Sequence, residues 1–190
     1  LVDDGEQVLA HVEPGTAGPL LDYLTRMRFW AEVEISDVTA EWAVVWRPGP
    51  TGADGDDTDV LVPRAELAAW AREAGPPAGS WAFEALRVAA RRARLGFETD
   101  HRTIPHEVGW IGSAVHLEKG CYRGQETVAR VQNLGRPPRR LTLLHLEGSS
   151  GELPASHAEV RWQDRAVGFV GTVAQHYELG PVALAVVKRQ

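Results

Sequence analysis

The stretch Lys119-Gly120-Cys121-Tyr122-Arg123-Gly124-Gln125-Glu126 sets the chain's one cysteine between two cations, directly before a segment that reads as a helix. Residues 125–134 place Val128, Val131 and Leu134 at helical spacing and so on one apolar face. Neighbouring Lys and Arg side chains, and the unpaired N–H groups at a helix start, lower a thiol's pKa and favour the thiolate. Gly120 and Gly124 bracket the cysteine and let the backbone turn sharply or approach a ligand closely. On spacing alone, the commoner fate of a single cysteine in a soluble chain is a small buried hydrophobe. Both readings stand at this point.

Downstream of that helix, residues 134–138 read as a linker, and the pattern then changes to short β-rich runs separated by turns. These cover 141–146, 158–162, 166–174 and 182–187, an order that predicts a small C-terminal β-barrel. Upstream, residues 7–13 alternate as a half-buried strand does, and 16–29 carry Leu20, Leu21, Leu24 and Met27 at helical spacing. Residues 32–38 and 41–46 read as two further strands, 60–62 as another, and 64–73 as a helix. Ser80 is placed to cap the next helix, whose apolar side holds Phe83, Leu86, Val88 and Ala90. The whole reads as α+β, with helices covering one face of an antiparallel, ferredoxin-like layer. The expected domains are 1–135, with sub-layers 1–50 and 51–135, and 136–190.

Composition narrows the function classes. The net charge of −6 argues against stable nucleic-acid binding or broad attraction to an anionic membrane. Two local basic groups remain, Arg87, Arg91, Arg92 and Arg94 on one predicted helix, and Arg136, Arg139 and Arg140 beyond the linker. No apolar run approaches the ~20 residues of a membrane span. One cysteine permits no internal disulfide, which fits a soluble protein of a reducing cytoplasm. Asp54, Asp56 and Thr58 alternate as calcium ligands do, but Asp59 stands at the sixth position and Ala65 at the twelfth, so a solvated loop is expected there. Asp100, His101, His106 and Glu107 are all ligand types, yet their spacing across a proline-containing loop suits no metal site, and none is expected.

The octapeptide 119–126 resembles the K-G-C-Y-x-G-Q-E signature of YgfZ-type folate-binding proteins, relatives of the glycine-cleavage aminomethyltransferase (T-protein, or GcvT-like) superfamily. Thr103-Ile104-Pro105-His106-Glu107 is similar to the T-P-x-E segment of that superfamily. The run Gly168-Phe169-Val170-Gly171-Thr172, followed by 183–189, resembles the end of its small barrel. The resemblance covers most of the chain from about Trp81 onward. It implies an aminomethyltransferase-like folate-binding fold, with an N-terminal segment and some final barrel strands expected to be missing.

The same resemblance implies a site for tetrahydrofolate or another reduced folate. Glu107 would receive the N–H donors of the pterin, since a carboxylate offers several acceptor positions in one plane. Arg136, with Arg139 or Arg140 as substitutes, would meet the anionic tail. Trp110 and Tyr122 are the nearest flat walls for the aromatic linker. Read without the family, Glu107 is a solvated loop acid, the arginines a solvated basic linker, and the two aromatics core residues.

Cys121 would be the functional thiol, poised by Lys119, and its chemistry is open between a mixed disulfide, a persulfide and contact with an iron centre on a client. The superfamily's R-L-E-A-G stretch stands here as Arg87-Val88-Ala89-Ala90-Arg91, and its D-F after the lysine as Cys121-Tyr122. Loss of that acid weakens transfer chemistry, which needs a group to manage protons at the folate nitrogens. The catalytic aspartate of the true enzymes falls in the segment expected to be missing. The expected function is therefore a tetrahydrofolate-binding accessory protein in iron–sulfur cluster assembly or repair, with iron–sulfur client or assembly proteins as partners. The alternatives are a folate-dependent aminomethyltransferase and a non-catalytic scaffold.

Overall fold

The computed structural model describes residues 1–49, 58–148 and 151–189. The chain divides into two compact units, Leu1–Pro77 and Ala78–Gln190. Asp54 and Asp56 of the calcium-like pattern lie outside the described residues, while Thr58 and Asp59 belong to a strand.

Among its described residues the first unit holds two separate antiparallel hairpins and two helices. β1 (Val2–Asp3) pairs with β2 (Val8–Leu9), and β3 (Trp42–Arg47) pairs with β4 (Thr58–Pro63) in the register Trp42↔Pro63 to Arg47↔Thr58. Helix α1 spans Ala17–Met27 and α2 spans Leu67–Ala74. The expected strand over 32–38 is irregular instead. The N–H groups of Glu41 and Trp42 both donate to the Val38 carbonyl, closing a turn that delivers the chain into β3, whose ladder partner is β4. The result is two two-stranded sheets rather than one layered sheet. Neither α1 nor α2 contains a fully buried residue, and of the apolar stripe read at Leu20, Leu21, Leu24 and Met27 the first two are half-buried and the last two exposed.

In the second unit α3 (Ser80–Ala89) packs on a four-stranded antiparallel sheet of order β5-β8-β7-β6. The strands are β5 (Arg139–His145), β6 (Glu159–Trp162), β7 (Arg165–His176) and β8 (Gly180–Lys188). Val182, Ala183, Leu184, Ala185 and Val186 are all fully buried, as a near-continuous apolar central strand must be when both its faces are covered. Ala85 and Val88 of α3 meet Ala174, Val182 and Leu184, with Leu141 and Leu143 at the margin. Each buried Val or Leu side chain contributes about 1.5–3 kcal/mol. Among the described residues the sheet is open, with β5 and β6 as its two edges, and the closed barrel is not formed. Four strands, of which one has four residues, cannot wrap far enough to pair first with last. The change from helix to sheet expected at 135/136 falls inside this unit, where α4 (Gln125–Leu134) gives way to β5.

Two local expectations change. Ser80 is the first helical residue, with Gly79 at the cap position and no side-chain cap. The arginines 87 to 94 do not share a helix, because α3 ends at Ala89 and Arg91 turns left-handed at φ 55. Arg91 N–H donates to the Val88 carbonyl and Arg92 N–H to the Arg87 carbonyl, a Schellman ending whose left-handed position favours glycine. Arg91→Gly is therefore expected to stabilise the protein by about 0.5–1 kcal/mol, read as a rise in thermal midpoint. An unchanged or lowered midpoint would refute the strain. Among the described residues, no helix is long and apolar enough to cross a membrane.

Candidate functional site

The site is built around a short 3-10 turn, Pro105–Glu107, whose proline fixes the first φ and needs no N–H partner there. The turn aims Glu107 inward. Its side chain is fully buried, although the alternative reading without the family made it a solvated loop acid. A buried carboxylate needs partners, and it has them. Ile104 N–H donates to Oε2 at 3.1 Å, while Arg139 donates from Nε to Oε1 at 3.0 Å and from Nη2 to Oε2 at 2.8 Å.

Arg139 is the first residue of β5, and it holds a second carboxylate as well. Its Nη1 donates to Asp100 Oδ2 at 2.6 Å and its Nη2 to Asp100 Oδ1 at 3.0 Å. Asp100 Oδ1 also accepts from Arg102 N–H and from the Thr103 hydroxyl, which fixes it in a tight turn. Hydrogen bonds from Arg139 hold the Asp100 carboxyl well below the usual carboxylate range, and hydrogen bonds to Asp100 and Glu107 raise Arg139 above the ordinary guanidinium value. The structure thus joins two residues predicted for opposite ends of a ligand, the pterin acceptor and a tail cation, into one ion pair. Arg136 and Arg140 are exposed.

His106, beside Glu107, shares a hydrogen bond of 3.0 Å between Nε2 and Gln132 Oε1 of α4, and its Nδ1 is buried without a partner among the described residues. Asp100 and Glu107 are committed to Arg139, and His106 Nε2 to Gln132. Among the described residues no group of three or more His, Cys, Asp or Glu is placed to hold a metal ion.

At the other end of α4, Gly124 caps the helix with φ 85, a conformation that favours glycine. Gln125 N–H donates to the Tyr122 carbonyl and Gln125 Nε2 to the Lys119 carbonyl at 3.5 Å, folding the octapeptide over the helix start. Lys119 Nζ lies 5.6 Å from the centroid of the half-buried Tyr122 ring, a cation–π contact. Cys121 is exposed, so the buried-hydrophobe reading does not hold. Trp110 is half-buried, and its backbone N–H donates to the Pro105 carbonyl. His106 meets α4 at Gln132, seven residues and about 10 Å of helix beyond Gln125. The thiol and the Glu107 carboxylate therefore serve opposite ends of one helix. Two surface concavities, lined by residues such as Asp37 and Arg64 or Asp22 and Arg26, lie in the first unit and include none of these groups.

Sequence reasoning missed Glu98. It is fully buried and fills a bulge in β7, where Gly171 and Thr172 stand opposite Leu184 alone. Its Oε1 accepts the freed Thr172 N–H at 2.7 Å, and its Oε2 accepts Arg94 N–H at 2.8 Å and Arg87 Nη1 at 3.2 Å. Arg87, also buried, binds Glu84 and the Thr172 hydroxyl besides. This network fixes the loop that delivers Asp100 two residues later. The available signal was the pair of glycines, 168 and 171, inside a strand.

No protein-family model matches the chain. The chain is 37% identical over 141 residues to an aminomethyltransferase of Rubrobacter xylanophilus, covering 72% of this chain and 36% of that protein. It is 25% identical over 185 residues to a putative chloroplastic transferase of Arabidopsis thaliana, covering 75% of this chain and 43% of that protein. The chain spans less than half the length of either. It is a distant relative of proteins bearing the aminomethyltransferase and transferase names, with a mixed α+β structure.

Proposed function

We propose that this chain is a folate-binding, transferase-like protein of the YgfZ type. Glu107 receives the pterin edge, Arg136 meets the anionic tail, Trp110 and Tyr122 line the flat part of the ligand, and Cys121 is the functional thiol supported by Lys119. The observation that carries the reading is the buried Glu107 carboxylate, supported by a guanidinium and a backbone N–H in a chain akin to an aminomethyltransferase. The donor set has the chemistry a reduced folate needs. Three of about four acceptor positions on that carboxylate are filled, so a paired N–H edge requires Arg139 to give up part of its hold on Glu107. In this reading the functional division falls at 135/136, a folate-binding region followed by the β5–β8 sheet region. Action in iron–sulfur cluster assembly or repair, with client proteins and in a cytoplasmic setting, completes the proposal.

Titration of the protein with tetrahydrofolate tests it. Glu107→Gln, which leaves a single acceptor oxygen, is expected to weaken binding roughly 10–100-fold, as loss of a charged hydrogen-bond acceptor does. Cys121→Ala is expected to retain folate affinity while abolishing the biological function. Equal affinity in the wild type and Glu107→Gln would remove Glu107 from the site. A second reading, a folate-dependent aminomethyl transfer enzyme, is favoured by the name of the Rubrobacter relative. Turnover of an aminomethyl donor with tetrahydrofolate would select it.

A further inference from the structure

Arg139 uses four N–H contacts on two carboxylates that differ in setting. Glu107 is fully buried, whereas the Asp100 side chain is 31% exposed and tied into a turn by Arg102 and Thr103. The division of donors is atom-specific. Nε serves Glu107 alone, Nη1 serves Asp100, and Nη2 serves both. A guanidinium that leaves Glu107 therefore keeps a bidentate partner in Asp100, and the cost of breaking the pair falls on the buried Glu107 carboxylate, whose lost donors must be replaced.

We propose that Arg139 occupies the Glu107 carboxylate in place of a ligand, and that Asp100 is the positioning residue that retains Arg139 when the neutral, paired N–H edge of a ligand takes its place. This rests on the folate-binding reading and adds to it the way the site opens. The exchange conserves charge. Glu107 stays ionised and trades two guanidinium N–H donors for two from the ligand, while Arg139 stays paired through Nη1 and Nη2. The site is consequently selective for an edge with two adjacent donors, because a single donor replaces only part of what Glu107 gives up. Asp100 also shares the guanidinium's charge, which weakens the hold of Arg139 on Glu107 relative to an isolated pair.

Nitrogen NMR of the wild-type guanidinium groups, with Arg139→Lys to assign the resonance, tests the exchange directly. In the free protein the Arg139 Nε–H is expected to be protected from solvent exchange by Glu107. Adding tetrahydrofolate is expected to shift that resonance and speed its exchange. Asp100→Asn, whose amide oxygen preserves the turn, is expected to weaken tetrahydrofolate binding about tenfold with the protein still folded, since the displaced guanidinium then has no ionic partner. A merely structural Asp100 would lower the thermal midpoint and leave affinity at a temperature where the variant is folded untouched. Binding with an Arg139 Nε–H that stays protected, or unaltered affinity in Asp100→Asn, overturns the exchange alone. Absence of tetrahydrofolate binding by the wild type overturns the folate reading and the exchange together.

Discussion

Replacing Glu98 with alanine is expected to destabilise the second unit by about 3–5 kcal/mol, the cost of breaking a buried ion pair by deleting one partner. Glu98 is fully buried and accepts from Thr172 N–H, Arg94 N–H and Arg87 Nη1. Alanine would leave two backbone donors without acceptors and Arg87, whose side chain is 3% exposed, with Glu84 as its remaining carboxylate. Glu98→Gln keeps the shape and one acceptor, so it is expected to cost less, about 1–2 kcal/mol. Urea denaturation of the wild type and both variants measures the difference, the midpoint shifting with the slope unchanged. If both variants unfold within 0.5 kcal/mol (about the noise of neutral surface substitutions) of the wild type, the bulge does not depend on this carboxylate.

Gly168→Ala is the second large effect, and its cause is steric. A Cβ at 168 would overlap the Val186 carbonyl oxygen and lie 2.9 Å from Val187 Cα, both backbone atoms of the neighbouring strand. β7 cannot withdraw without losing the pairing Gly168↔Val187, next to the fully buried Val186 of β8. The expected loss is about 3 kcal/mol, at the upper end of overpacking, or roughly 6–12 °C in thermal midpoint for a chain of this size. Gly120→Ala supplies the control, since a Cβ there meets nothing within 4 Å. Equal midpoints for the two variants would mean that β7 and β8 do not approach as closely as described.

Much of the local structure could be read from residue order. The helix read over 125–134 is α4 to the residue, because its apolar spacing and flanking glycines are local signals. The runs 141–146, 158–162, 166–174 and 182–187 correspond to β5 through β8, although their arrangement as an open sheet was not legible, since closure depends on which distant edges meet. The strand read over 32–38 failed for a related reason. An alternating pattern is compatible with a strand, but a strand requires a partner, and β3 took β4.

The candidate site divides in the same way. The order of residues alone placed the lone cysteine ahead of a helix, while Glu107 and the 136–140 arginines were singled out only through a family resemblance. The tertiary structure alone decided that Arg139 grips Glu107, 32 residues away, and Asp100, 39 away, and that Arg87 is buried against a strand 85 residues distant. Helical and strand periods repeat within a few residues and are written locally. An ion pair between remote segments has no period, and the chain must fold before the low-dielectric interior selects which charges stand together.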